Sequence, residues 1–537
     1  MTPMTFTPQP QARRAPSSPL RASTLQRVLL AAALATCCNV PLGCGKAATD
    51  AQQAPNILWV VWDTTRADHM SLYGHDKPTT PFLEEWAKDA RVFEHCSSTG
   101  CSTVPSHAGM FTGMLPSEHG TRFGHQWLED QHETIAELLG GAGYQTYLWS
   151  ANPHISAAEN FVQGFQTVEH PWDEETRTEA FKIVLRKIRR DHSSELPKNI
   201  QQGKRNEWMI KAAGELAEVG LTKWLDERDS DKPYFAFINY MEAHRPFIPP
   251  ARYRKRMMSK EDVDRSFTVD RSWTPMWAYT FGVNEYTQKE LEIMAGTYDA
   301  ALAELDDIFK SLIQTLEERG ELENTVVILT ADHGEHLGEH HMLDHQYALY
   351  DALTRVPLIV HAPGRFLPGR DETLVANFDI FPTLLELAGI DPSEGHQSTA
   401  VSLLHPNKDR PLLAEMPATF TEPFIAVGSA YPDFDPNKWS RKLRAFRYGD
   451  YKLLWSSAGD HELYHMPSDP MEARNLFAEE PERAAELMDE MNAFLETLQD
   501  PPPREGSPPN KQSPEQLQML RDLGYISDGD DQEDEED

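Results

Sequence analysis

The sequence predicts an α/β protein: a large, mostly parallel central sheet flanked by helices, with a smaller C-terminal α+β subdomain. Three observations predict it. Residues 57–62 (ILWVVW) form an unbroken apolar run of strand length, the pattern of a strand covered on both faces. Strand-like and helix-like segments then alternate along the chain. After about His405 the alternation gives way to short strands and one closing helix.

In chain order, the first strand ends in Asp63. Residues 82–90 have helical spacing, and residues 91–93 lead toward the stretch 97–120, SSTGCSTVPSHAGMFTGMLPSEHG. Pro105 suits the first turn of a helix, where its missing N–H costs nothing. Ser102 or Thr103 can cap that helix and Gly113 can end it. This leaves the Thr103 hydroxyl at a helix N-terminus, where unpaired N–H groups and the macrodipole favour an anion. Residues 133–139 read as a helix, stopped by the glycines of 140–143, and 144–149 as a strand. Residues 174–226 are charged and largely helical, an insertion over the sheet that can shape a substrate mouth. The strand pattern resumes at 234–241, with Glu242 and His244 at its end. Leu302, Leu305, Ile308, Phe309, Leu312, Ile313 and Leu316 mark one face of a long helix closed by Gly320. The strand 326–330 runs straight into Asp332 and His333; strand 356–361 and helix 379–388 follow. Residues 444–455 and 462–465 suggest short strands, and 481–498 a closing helix. The boundaries expected are a leader (1–50), an α/β domain (51–404), the subdomain (405–500), and a Pro-rich linker, docking segment and acidic tail (501–537).

With 537 residues the chain can bury a large core. A formal net charge of −34 argues against nonspecific binding to nucleic acid or anionic lipid. Arg13, Arg14, Arg21 and Arg27 precede a short apolar run, followed by Cys37, Cys38 and Cys44. That is the order of an export signal, and the run is too short to span a bilayer comfortably. A cysteine just after it resembles a bacterial lipoprotein attachment site, with Cys37 and Cys44 both placed for it. The expected location is therefore periplasmic or cell-surface, with membrane contact only through such an anchor. In an exported protein Cys96 and Cys101 can pair, or Cys101 can be a small packed residue.

Asp63, His244 and Asp332-His333 each follow the carboxyl end of an expected strand, the edge where open α/β sheets bind ligands. Asp63, Thr103, Asp332 and His333 can offer three oxygens and one imidazole to a divalent cation. Carboxylates suit hard cations, and the imidazole moves preference toward Mn²⁺ or Zn²⁺.

The run T-x-P-S-H-x-x-x-x-T-G-x-x-P-x-x-H-G (103–120) resembles the signature of the sulfatase family, within the alkaline-phosphatase superfamily. The resemblance extends over roughly 55–526. In sulfatases the first residue of this run is a cysteine or serine oxidised to a formylglycine nucleophile. Here Thr103 stands at that place and His107 replaces an arginine. Threonine cannot become formylglycine, and Cys101 lies two residues too early. Related phosphodiesterases and phosphotransferases use an unmodified threonine. Residues 56–69 look like the family's first strand and metal aspartate, with Thr64 in place of a second aspartate. Residues 331–340 (ADHGEHLGEH) look like the second metal motif. Sulfatases often have Asp-Asn there, with Ca²⁺; Asp332-His333 is similar to the phosphonate and phosphodiester hydrolases, which tend to use Mn²⁺ or Zn²⁺.

The resemblance also assigns roles. His345 occupies the place of a lysine that holds the ester oxygens, and His244, in H-R-P-F-I-P-P, matches a histidine that can protonate the leaving group. The family's G-K-W-H-L-G segment is absent; Ser150-Ala151-Asn152 stands there, and Asn152 can donate a hydrogen bond instead. His107 either packs in the helix's first turn or orients Thr103. His340 and His341 either bind substrate or a second metal, or face solvent from a loop. The activity implied is metal-dependent hydrolysis of sulfate, phosphate or phosphonate esters in a small-molecule, glycan or lipid substrate, with Thr103 as nucleophile. A phospho-group transferase with the same residues, and a non-catalytic lipid-anchored binder of sulfated or phosphorylated glycans, are the alternatives.

Overall fold

The computed structural model describes residues 54–189, 208–392 and 398–499, together with Pro514 and Leu517. The leader with Cys37, Cys38 and Cys44, and nearly all of 501–537, lie outside these residues.

The strands β1 (Asn56–Trp62), β2 (Arg91–Ser97), β3 (Gln145–Ser150), β4 (Thr167–Glu169), β5 (Tyr234–Tyr240) and β6 (Thr325–Thr330) come first. A small hairpin of β7 (His336–Leu337) and β8 (Leu343–Asp344) precedes β9 (Arg355–His361) and β10 (Gly369–Ala376). Eight of these make one sheet in the order β10-β2-β9-β6-β1-β5-β3-β4. Its central strand β1 runs parallel to β5 and β6, and β3 runs parallel to β4 and β5. Only β9 opposes its neighbours β6 and β2. The reversal follows from its connection: the chain leaves β6, makes the hairpin at that edge and re-enters the sheet without a crossover.

The apolar run of β1 is explained by what covers it. Ile57, Trp59 and Val61 pack with Phe111 of the helix Thr103–Thr112 and with Phe381 and Leu384 of the helix Ile380–Leu387. Leu58, Val60 and Trp62 point to the other face, against Leu305, Phe309 and Leu312 of the helix Gln288–Glu318. Period-two alternation thus buries every side chain, because neither face meets water. Each large one contributes roughly 1.5–3 kcal/mol, and truncating Trp59 to alanine costs about 3–5 kcal/mol. The long helix starts earlier than its apolar face suggests, at a capping box in which the Thr287 and Glu290 side chains exchange backbone hydrogen bonds.

A second, antiparallel sheet of β11 (Leu412–Met416), β12 (Leu443–Tyr448), β13 (Tyr451–Ser456) and β14 (Glu462–His465) has the order β11-β12-β13-β14. Gly449, at φ 58°, turns the chain between β12 and β13, so the apolar stretch 444–455 is a hairpin. The helix Pro481–Leu495 lays Leu487 and Met491 on Phe446, Leu453 and Leu463.

Strands β2, β4, β10 and β11 and the short β7–β8 hairpin were not read as strands from the sequence. The first half of β10 is polar and largely exposed, and it pairs at the sheet edge, where alternation is weak. Cys96 and Cys101 are both free and buried, in different apolar clusters, so the expected alternative of a disulfide gives way to two packed thiols.

Candidate active site

Five strands that run in the same direction end at one edge: β1, β3, β5 and β6 by parallel pairing, and β2 through antiparallel β9. Asp63 follows β1, Thr103 follows β2 after a short loop, Asn152 follows β3, His244 follows β5, and Asp332 and His333 follow β6. All six side chains are at most 2% exposed.

Thr103 is the first residue of its helix, and Ser102 holds the cap position without a side-chain cap bond. Gly113, at φ 69°, ends the helix. The Thr103 hydroxyl accepts a hydrogen bond from Asn152 Nδ2 at 3.3 Å, and the same Nδ2 donates to Asp63 Oδ2 at 2.7 Å. Asn152 therefore ties Thr103 to the carboxylate at the end of β1. His107, one turn into the helix, donates from Nδ1 to the Thr103 carbonyl at 3.0 Å and lies 3.6 Å from Asp332 Oδ2. Its ring also packs against Phe111, Phe161 and Phe237, and burial holds it down to about 3, so it is neutral.

Asp63, Asp332 and His333 each bring a ligand atom within 4.8 Å of the others'. Asp332 Oδ1 accepts from the backbone N–H of Thr64 at 3.1 Å and of His333 at 2.9 Å. His333 Nδ1 donates to the Gly334 carbonyl at 3.0 Å, which leaves the lone pair on Nε2. The remaining atoms of this group, Asp63 Oδ1, Asp332 Oδ2 and His333 Nε2, are buried with no hydrogen-bond partner among the described residues. Burial and the neighbouring Asp332 push Asp63 up to about 7, burial pushes Asp332 up to about 7, and burial pushes His333 down to about 3. Two buried carboxylates beside a neutral imidazole make a centre short of positive charge. A divalent cation fits the donor set, since it would give all three orphaned atoms a partner. Thr64, a β-branched residue held at φ 57°, supports this centre. Its hydroxyl donates to Ala243 O at 2.8 Å, and Tyr298 OH donates to its carbonyl at 2.8 Å.

Beside the centre stands a row of imidazoles. The His345 ring lies 4.5 Å from that of His333 and 5.1 Å from that of His244. Burial alone would neutralise His345. Asp344, 2.9 Å from Nδ1, and Glu335, at 3.4 Å, outweigh it and hold the ring charged, up to about 10. Asp344 is fixed in turn by Arg245 at 2.6 Å and Trp277 Nε1 at 2.8 Å. His345 thus presents a fixed cation whose Nε2 has no partner among the described residues. His340 does not join this group. It sits on an exposed turn with its ring stacked on Tyr350 at 3.7 Å, and His341 is likewise exposed, against Tyr279.

The sequence reading did not single out Asp344 and Glu335, which act through His345, nor a lysine beside His244. Lys211, in the 3₁₀ segment Trp208–Ala212 of the insertion, is 3% exposed and places Nζ 2.8 Å from His244 Nδ1. No motif marks it. The segment is held by Lys187, which donates to the Ala212 carbonyl at 2.7 Å and pairs with Glu304 at 2.8 Å and Glu242 at 3.5 Å. Glu242 also accepts from the Gly214 N–H at 2.8 Å.

Comparison with known proteins fits this geometry. Residues 55–390 match the family described as Sulfatase, and residues 338–501 match N-sulphoglucosamine sulphohydrolase, C-terminal. The chain is 23% identical to the N-acetylglucosamine-6-O-sulfatase of Bacteroides thetaiotaomicron, over 90% of this chain and 92% of that one. It is 25% identical to an arylsulfatase of Clostridium perfringens, over 79% of this chain and 91% of that one. Its fold superimposes on the phosphonate monoester hydrolase of Agrobacterium radiobacter with a TM-score of 0.62, at 21% identity, covering 82% of this chain and 95% of the other. With a strand-edge cluster on the matching fold and the family matched over most of the sheet, the chain belongs to the sulfatase family of ester hydrolases.

Proposed function

We propose that this chain is a metal-dependent hydrolase of sulfate, phosphate or phosphonate esters in which Thr103 is the nucleophile. The observation that carries the proposal is the placing of the Thr103 hydroxyl. It lies at a helix N-terminus, bridged by Asn152 to Asp63, beside three unpartnered ligand atoms.

Asp63, Asp332 and His333, with Thr103, would hold the cation. When bound, it lowers the pKa of a neighbouring hydroxyl and offsets negative charge on the transferred group. Thr103 Oγ, its proton given up to solvent, attacks phosphorus or sulfur in line, the bond to the leaving oxygen breaks, and water later resolves the covalent threonine ester. Asn152 orients the hydroxyl through its bond to Oγ1. His345, held charged by Asp344 and Glu335, binds the oxygens of the transferred group. His244 protonates the leaving oxygen. Among the substrates, phosphate mono- or diesters and phosphonates are favoured, because more negative charge in the transition state gains more from fixed cations. Names of relatives, such as N-acetylglucosamine-6-O-sulfatase, keep sulfated sugars as the second reading. Export and the N-terminal lipid anchor belong to the same proposal; mass spectrometry of the mature N-terminus tests them.

The test is turnover of an aryl sulfate, an aryl phosphodiester and an aryl phosphonate by protein loaded with Mn²⁺ or Zn²⁺, beside Thr103→Ala. Phosphoester or phosphonate turnover lost in the variant is the expected result. Sulfate turnover that survives Thr103→Ala rejects the nucleophile, and no turnover with no bound metal favours a glycan-binding protein. Transfer to an added alcohol in preference to water points to a transferase.

A further inference from the structure

We infer that Lys211, carried in from the insertion, is the proton source behind His244: its ammonium fixes the His244 tautomer and reloads the ring when the leaving group is protonated. The inference rests on the role proposed for His244 and extends it to Lys211, which lies outside the motifs read from this sequence.

Three atoms meet at hydrogen-bond distance. Lys211 Nζ is 2.8 Å from His244 Nδ1, His244 Nδ1 is 2.7 Å from the Arg245 carbonyl, and Nζ also bonds that carbonyl. The carbonyl can only accept and an ammonium can only donate, so the state of Nδ1 is decided by the lysine. An Nδ1–H facing the ammonium would oppose two donors across 2.8 Å. With lysine charged, Nδ1 accepts from Lys211, the carbonyl is satisfied by a second lysine proton, and the imidazole proton resides on Nε2. Burial, with Lys211 and His345 nearby, keeps His244 well below its ordinary pKa, so the ring carries one proton and not two.

A neutral imidazole that gave up its Nε2 proton alone would become an imidazolate, a costly anion. The lysine removes that obstacle. As the bond from phosphorus or sulfur to the leaving oxygen breaks, the electron pair stays on oxygen, which takes the Nε2 proton. Nδ1 simultaneously takes one proton from Lys211. The products are a neutral alcohol, a neutral His244 protonated on Nδ1 and bonded to the Arg245 carbonyl, and a neutral lysine amine. Water entering for the second half-reaction loses a proton along the reverse route and restores the ammonium. Burial, with Arg245 acting in the same direction against Asp63, Glu335 and Glu242, lowers Lys211 to about 7, which suits a group that must release and recover a proton. The anchor formed by Lys187, Glu242 and Glu304 is what makes so exact a placement available to a residue outside the sheet.

Two measurements test this. In ¹⁵N-histidine-labelled, Zn²⁺-loaded protein, the His244 signals are assigned by their loss in His244→Gln. The expected pattern is Nε2–H with an unprotonated Nδ1, reversing to Nδ1–H in Lys211→Met. The second compares a phenyl and a 4-nitrophenyl ester of whichever acid is turned over. Lys211→Met is expected to lower kcat on the phenyl ester by about 10²-fold and on the nitrophenyl ester less than about 5-fold, because only the poor leaving group needs the proton. Lys211→Arg, charged but unable to give up a proton, should keep the tautomer and still lose the phenyl ester. A His244 with Nδ1 protonated in the unaltered protein overturns the inference. So does an equal loss on both esters carried by KM, which would make Lys211 an anion-binding group. If no ester is turned over, the proposed function fails, while the tautomer measurement still decides whether Lys211 controls His244.

Discussion

Removing divalent cations should expose the cost of keeping Asp63 and Asp332 together. Both sit at about 7 in the folded protein, against an ordinary value of 3.8. The folded pKa is the higher one, so the folded state binds more protons between these values. The contribution is fully present below the ordinary pKa and is lost as pH rises through about 7. A shift of about 3 units corresponds to about 4 kcal/mol for either carboxylate, of which about 2 kcal/mol falls between pH 5.5 and 8.5. At roughly 2.1 cal/mol/K of unfolding entropy per residue, a chain of this size gives about 1 kcal/mol/K, so the pair is worth about 4 °C of Tm over that window. The assay is differential scanning calorimetry of chelated and Mn²⁺- or Zn²⁺-loaded protein across pH, with Asp63→Asn as reference to cancel other titrations. Chelated protein should fall about 4 °C further than loaded protein between pH 5.5 and 8.5. Asp63→Asn should lose about half of that excess fall and all response to the cation. The reasoning is refuted if chelated and loaded proteins melt alike across the window, or if the cation stabilises Asp63→Asn as much as the unaltered protein.

Three further outcomes are expected. Lys187→Met leaves Glu242 and Glu304 buried without their cation and should cost about 3–5 kcal/mol in urea unfolding, with much of the loss recovered by adding Glu304→Gln. In the native protein Cys101, pushed up to about 12 by burial, and Cys96, which burial pushes well above its ordinary value, should resist iodoacetamide at pH 8 and react only after unfolding, as counted by mass spectrometry. A methyl group on Gly109 would meet Thr99 Oγ1 at 2.8 Å and the Met114 carbonyl at 3.0 Å. Gly109→Ala should therefore lower stability by about 1–3 kcal/mol and displace the helix that begins at Thr103, and turnover should fall with it.

The sequence by itself determined the sheet and most of what stands at its edge. Buried parallel strands need apolar residues on both faces, so β1, β5 and β6 announce themselves without neighbours, and a polar residue at their carboxyl end is conspicuous. Asp63, His244, Asp332 and His333 were legible for that reason, and Thr103 by its proline and the residues around it. Tertiary structure alone decided the rest. Strand order places Asn152 against both Thr103 and Asp63, although they are far apart in the chain. Asp344 is the chain neighbour of His345, but Glu335, the second carboxylate that charges it, reaches it only once the β7–β8 hairpin closes. His340 leaves the site because a left-handed turn at φ 54° swings it onto Tyr350. Lys211 enters it because a buried ion-pair anchor fixes an insertion whose local sequence carries no signal of chemistry. Periodicity records which side of an element is buried; it does not record which distant element does the burying, and a catalytic neighbourhood is made of such distant pairs.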